Sequence, residues 1–120
     1  MGLNTTLVNV AVINQAILDT NIVHGTPFLM DYLDESAVIA MNTLDQSVTL
    51  STEYSSDGGA TWASIGSTFV LAAGTSLVTN QYASDLTGIR IFSGQIRVNA
   101  VAGTAPTTGN LTVVMQGMND

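Results

Sequence analysis

The chain contains no cysteine and no lysine. Without thiols there can be no disulfide, no thiolate zinc site and no cysteine nucleophile. A single histidine, His24, rules out any multi-histidine metal centre, and a Ser-His-Asp triad would have to be built on that one ring. Cations are equally scarce. Arg90 and Arg97 stand against nine acidic residues, for a net charge of -7. Phosphate backbones and anionic lipid surfaces are held through Lys and Arg, so this balance argues against nucleic acid and membrane partners. No stretch reads as a signal peptide, because a basic leader is missing and Asn9 and Asn14 break the first apolar run. Neither does any stretch show the sustained 3.6-residue periodicity of a long helix.

Charged residues of either sign make up 9% of the 120 residues, where a typical soluble domain carries roughly 25%. Hydrophobic residues make up 46%, and the polar remainder is mostly Thr, Ser, Asn, Gln and Gly. That length suits one domain with a real core. Charge on strand edges is a usual guard against sheets pairing with one another. A chain so poor in charge is therefore expected to cover much of its surface with partner subunits.

Short β-rich runs alternate with turn signals along the whole chain. Thr5 to Ile13 is apolar on both faces, as in a strand buried on both sides. Residues 1–24 are expected to form an N-terminal strand or arm, packed on the domain or on a neighbour. Residues 25–120 would then form the main domain, beginning at the break Gly25-Thr26-Pro27. Phe28 to Tyr32 fits either a helical turn or an extended segment, the latter favoured by its flanks. Further strands are expected over 36–41, 48–54, 62–65, 67–71, 77–79, 89–92, 95–100 and 111–115, with a loop over 80–88. The sum is an all-β chain of about seven to nine short strands, an antiparallel β-sandwich of jelly-roll or immunoglobulin-like type.

The stretch Ser55-Ser56-Asp57-Gly58-Gly59-Ala60-Thr61-Trp62 is the sharpest local signal. Val48, Leu50, Thr52 and Tyr54 share one face of the strand before it, and Trp62 to Ile65 begin the return strand. Asp57-Gly58-Gly59 supplies a side-chain acceptor for backbone N–H groups and two residues that take positive φ without steric cost. The octet also fits S-x-D-x-G-x-T-W and so resembles the Asp-box hairpin. By that resemblance Asp57 ties the loop, Thr61 helps close it and Trp62 packs beneath it, with Ser55 and Gly59 in support.

Other groups that could carry chemistry are few. Asp31, Asp34 and Glu35 cluster, but their spacing matches no calcium loop. Asp31, Glu53 and Asp57 could be nominated as a glycosidase pair, though no spacing supports them and Asp57 is better employed in its turn. Tyr54, Trp62 and Tyr82 are the aromatic candidates for stacking a sugar. Arg90 and Arg97 are expected to form ion pairs within or between subunits. No catalytic residue, metal site or cofactor site emerges, and no enzyme is expected.

Taken together, the run Val48–Trp62, the segment Leu71-Ala72-Ala73-Gly74, the strands over Ile89–Val98 and the Thr/Pro/Gly loop and strand over Gly103–Val113 resemble the small β-sandwich virion proteins of tailed bacteriophages. Head decoration or cement proteins are closest in size and character. The resemblance implies a non-enzymatic structural protein of the capsid surface, made in the host cytoplasm. It implies a homo-oligomer, with a trimer favoured, held to a major capsid or other virion protein. Inter-subunit or capsid contacts are expected from Leu3, Leu7, Val8, Val10, Val12 and Ile13 and from Leu111, Val113, Met115 and Met118. Removing the first dozen residues would then weaken assembly and leave a folded sandwich. The alternative is a receptor- or glycan-binding module of a phage tail or fibre.

Overall fold

The computed structural model describes residues 6–29, 35–82 and 94–119. Leu3, Asp31, Asp34, the expected strand over 89–92 and Arg90 lie outside that set. Every regular element among the described residues is a strand. In chain order these are β1 (Thr6–Gln15), β2 (Val23–His24), β3 (Phe28–Leu29), β4 (Glu35–Asn42), β5 (Val48–Ser55), β6 (Ala63–Leu71), β7 (Ser76–Tyr82), β8 (Gln95–Ala102) and β9 (Leu111–Asn119). All pairings among them are antiparallel.

The strands form two sheets, β1-β9-β4-β7 and β2-β8-β5-β6, with β3 also on β8. Gly25-Thr26-Pro27 separates β2 from β3, and both pair with the same neighbour. They are therefore one interrupted strand, broken where Pro27 has no N–H to give the ladder. Counted that way there are eight strands among the described residues, and their pairings nest. The first pairs with the last (β1 with β9), the second with the seventh (β2/β3 with β8), the third with the sixth (β4 with β7) and the fourth with the fifth (β5 with β6). A long hairpin of four nested pairs rolled into two facing sheets is a jelly roll. This resolves the choice between jelly roll and immunoglobulin-like sandwich.

Alternation along each strand fills the space between the sheets. Val12, Ile13, Val38, Ala40, Leu111, Val113 and Met115 come from the first sheet. Phe28, Val48, Leu50, Leu71, Ile96, Val98, Ala100 and Ala102 come from the second, with Ile17 and Leu44 closing the core from loops. A register shift between Ala11 and Ile13 lets adjacent Val12 and Ile13 both turn inward, as a β-bulge does. That bulge accounts for the adjacent apolar pair Val12 and Ile13 on β1. The runs expected at 62–65 and 67–71 are one strand, β6. Likewise β7 continues to Tyr82 into the expected loop, and β9 runs four residues past Met115.

The expected interface set needs correction here. Val12, Ile13, Leu111, Val113 and Met115 are 0–4% exposed, because β1 and β9 are paired and their inward faces close one side of the core. Val10 packs partly buried against the same cluster. Val12, Ile13, Leu111, Val113 and Met115 thus serve the core of their own chain, while the side chains of Leu7, Val8 and Met118 lie outside the described set. The truncation would also reach the core. Removing the first dozen residues would take Val12 from the core and leave β9 over Val114–Met118 paired with β4 alone.

Candidate functional site

The outer face of the second sheet gathers most of the unusual side chains of this chain. Along β8, Ile96, Val98, Ala100 and Ala102 point inward and are 0–3% exposed, which by the two-residue strand period sends Gln95, Arg97, Asn99 and Val101 outward. Thr49, Ser51 and Glu53 do the same on β5, while Ser55 at its end is buried and bonded into the turn that follows. Register then sets Glu53 opposite Arg97 and Ser51 opposite Asn99, with Ser64 of β6 facing Glu53 and His24 of β2 facing Asn99.

Hydrogen bonds run through this group as a chain. Glu53 Oε1 accepts from Arg97 Nε at 2.9 Å and pairs with a terminal guanidinium nitrogen at 2.8 Å. The same oxygen accepts from Asn99 Nδ2. Because that amide nitrogen must donate to a carboxylate, Asn99 Oδ1 is the atom that meets His24 Nδ1 at 2.8 Å. His24 Nδ1 therefore carries the hydrogen, and in the neutral ring Nε2 is left as an acceptor. The Glu53 carboxyl feels opposing influences. Burial raises its pKa, but hydrogen bonds from Asn99 and Arg97, with the charges of Arg97 and His24, outweigh burial and hold it below its ordinary value. A recess of about 190 Å³ opens beside the chain, lined by Ile22, His24, Ser51, Glu53, Ser64, Asn99, Ala100 and Val101.

The Ser55–Trp62 turn adjoins this cluster. It joins β5 to β6 as a hairpin, with Tyr54 opposite Ala63. Gly58 and Gly59 both have positive φ, at 75° and 94°. Asp57 Oδ1 accepts from the Thr61 N–H at 2.9 Å and from the Ser55 hydroxyl at 2.7 Å, and Oδ2 accepts from the Thr61 hydroxyl at 2.6 Å. Ser55 Oγ accepts in turn from the Gly59 N–H, and Trp62 Nε1 donates to the Gly59 carbonyl at 3.1 Å. Hydrogen bonds from Thr61 foremost, then from Ser55, push the Asp57 carboxyl well below the usual range. Both its oxygens are thus engaged in holding the turn. Arg97 stacks on Trp62, its Cζ 4.3 Å from the ring centroid, so one guanidinium joins turn and cluster.

Of the aromatic candidates, Tyr54 belongs to the inward face of β5 and packs against the core, which removes it as an outer platform. Trp62 has one face taken by Arg97. Of the expected ion pairs, Arg97 makes its own within the chain, with Glu53. No group of three or more His, Asp or Glu side chains that could hold a metal occurs among the described residues. Asn42, the last residue of β4, is a buried node. Its amide donates to the carbonyls of Gln46, Leu71 and Ala72, and its Oδ1 accepts from the Leu44 N–H.

No protein-family model matches the chain, and no curated protein matches it. Similar solved structures include the PBSX exported protein XepA, with a TM-score of 0.66 at 17% identity over 93% of this chain and 37% of XepA. They also include the infectious bursal disease virus Gx strain, at 0.48 and 12% identity over 97% of this chain and 33% of that one. Bacillus endospore appendages, described as disulfide-linked pili, give 0.45 at 20% identity over 100% and 95% of the two chains. The chain spans little more than a third of the length of XepA, and what it shares with that protein is the fold.

Proposed function

We propose that the chain is a non-enzymatic structural subunit of a virion, a head decoration or cement protein of a tailed bacteriophage that holds the shell through protein–protein contacts. The observation that carries this reading is the exposure of large apolar side chains on a chain so poor in charge. Leu18, Ile22, Leu29, Met41 and Val70 stand 44–72% exposed. Val70, Thr49 and Val101 lie in register across the outer second sheet, adding to an apolar band there. Large permanent interfaces are built from such surface. The jelly roll supports the reading too, since it serves in viral capsid and lectin domains. The Asp57 turn is structural in this account, and the contacts fall to the exposed residues rather than to those of the core. The working unit is a homo-oligomer, a trimer by preference, on the capsid surface, where several weak contacts made at once give lasting attachment.

Light scattering across a dilution series tests the oligomer, and sedimentation of labelled protein with particles of the virus that encodes it tests the docking. A stable trimer that pellets with particles is expected. A monomer at every concentration that stays in the supernatant would overturn the reading. A second reading, a glycan-binding module, is favoured by one observation: imidazole, carboxylate, amide and hydroxyl groups line the recess beside Glu53. Glycan-dependent retention of the monomer, abolished by Glu53→Ala, would select it.

A further inference from the structure

Strand order and charge placement together point to how copies meet. Among the described residues, the sheet edges are β1 and β7 in the first sheet and β6 with β2/β3 in the second. Edge strands in soluble proteins are usually blunted by charged side chains, proline or bulges, because their unpaired N–H and C=O groups invite another strand. Here the pattern is reversed. None of the edge strands carries Asp, Glu, Lys, Arg or Pro, while the charged residues within strands, Glu35, Glu53 and Arg97, all sit on inner β4, β5 and β8.

The edges are not equivalent. β2 and β3 are two residues each, and the register of β6 on β5 breaks between Leu50 and Thr52. β7 holds one continuous register on β4 from Ser76 to Tyr82, and β1 holds one on β9 from Thr6 to Ala11 before its bulge. The first sheet thus offers two regular edges of matching length. Its strand number is four and every pairing is antiparallel, so β1 and β7 run in opposite directions. A copy set beside another in the same orientation therefore brings β7 of one against β1 of the next as an antiparallel pair.

We propose that copies of this chain join edge to edge, the outer edge of β7 in one copy pairing antiparallel with Thr6–Ala11 of β1 in the next, which continues the first sheet across the interface. A second copy is the partner these edges fit. Each copy carries a net charge of -7, and the charge-free edges are where two such copies approach without setting carboxylate against carboxylate. The contact is head to tail, the kind that closes a ring when its rotation allows. It rests on the oligomeric reading above and names the surface that reading leaves open.

Hydrogen exchange on the protein at high and low concentration tests the pairing, with the double variant Asn9→Glu and Ala11→Glu as the perturbation. Asn9 and Ala11 are exposed on β1, so carboxylates there leave the core intact, which a circular dichroism melt checks. Expected at high concentration is at least tenfold slower exchange in β1 and β7 amides, with no change in β6. The double variant should be monomeric and regain association in high salt. An oligomer that persists in the variant, or protection confined to other strands, would overturn the edge pairing and leave the oligomeric reading standing. A wild-type chain that is monomeric throughout would overturn both.

Discussion

Replacing Asn42 by Ala is the most direct test of how the two sheets are tied at their loop end. The side chain is 1% exposed and makes four hydrogen bonds. Those with Gln46 and Ala72 are partly open, so their carbonyls can turn to water and are counted at nothing. The bonds to the Leu71 carbonyl and from the Leu44 N–H are buried. Orphaning a buried polar group costs about 1–3 kcal/mol, so Asn42→Ala should cost roughly 4 kcal/mol. A domain of this kind is stable by about 5–15 kcal/mol, so the loss is a large share of the total. Urea unfolding should show a midpoint lowered by about 2 M at unchanged slope, taking a slope near 2 kcal/mol/M. Asn42→Asp should be worse at neutral pH. It keeps the acceptor for Leu44 but sets a carboxylate against three carbonyl oxygens, a charge buried without a partner. Its pKa would be raised, so the deficit of this variant should shrink as pH falls. A cost for Asn42→Ala below about 1 kcal/mol, or an Asp variant no worse than the Ala variant, would refute the reasoning.

Other outcomes follow from the same geometry. Gly109→Ala should unfold or severely weaken the chain, because φ is +90° and a Cβ would lie 2.0 Å from the Thr43 carbonyl oxygen. Gly74→Ala, at φ +71° with nothing within 4 Å, should cost only about 1–2 kcal/mol by the same denaturant assay. Asp45, Asp57 and Glu53 all have folded pKa values below their ordinary 3.8, 3.8 and 4.5. Their contribution is complete above those ordinary values and is lost as pH falls through them toward the folded ones. Urea midpoints should hold level from pH 7 to 5 and drop below about 4.5, and Asp57→Asn should make that drop shallower. Trp62 is the sole tryptophan, so its emission reports on the lid that Arg97 forms. Arg97→Met should shift that emission and cost about 1 kcal/mol or less, since the pair with Glu53 is partly exposed.

Local features of the sequence carried a good part of this architecture. The inward set Val48, Leu50, Thr52 and Tyr54 and the Asp57-Gly58-Gly59 reversal were legible because both depend on neighbours a few residues away. So were β4, β8 and β9 as strands, from their alternation of β-branched residues. What alternation cannot tell is the identity of the surface against which a face is buried. Val12, Ile13, Val113 and Met115 read as apolar enough to meet a partner, and they meet the opposite sheet of their own chain. β2 escaped notice because two residues show no period. The polar cluster was also hidden, since His24 and Glu53 reach Asn99 across 75 and 46 residues. Only the nested register brings them to one face, and nothing in the spacing of a lone histidine announces that.

The nesting has a consequence for how the molecule comes into being. Thr6 finds its partner at Asn119, so β1 leaves the ribosome with nothing to pair with until almost all of the roll has been made. The one pairing that can close early is β5 with β6, across a seven-residue turn already tied by Asp57. Folding should spread outward from there, each further pair closing a longer loop. While β9 is still missing, β1 and β4 each lack a neighbour, and a chain stopped at that point is an unfinished sheet in search of a strand. The nascent protein is thus at its most adhesive just before its last strand arrives.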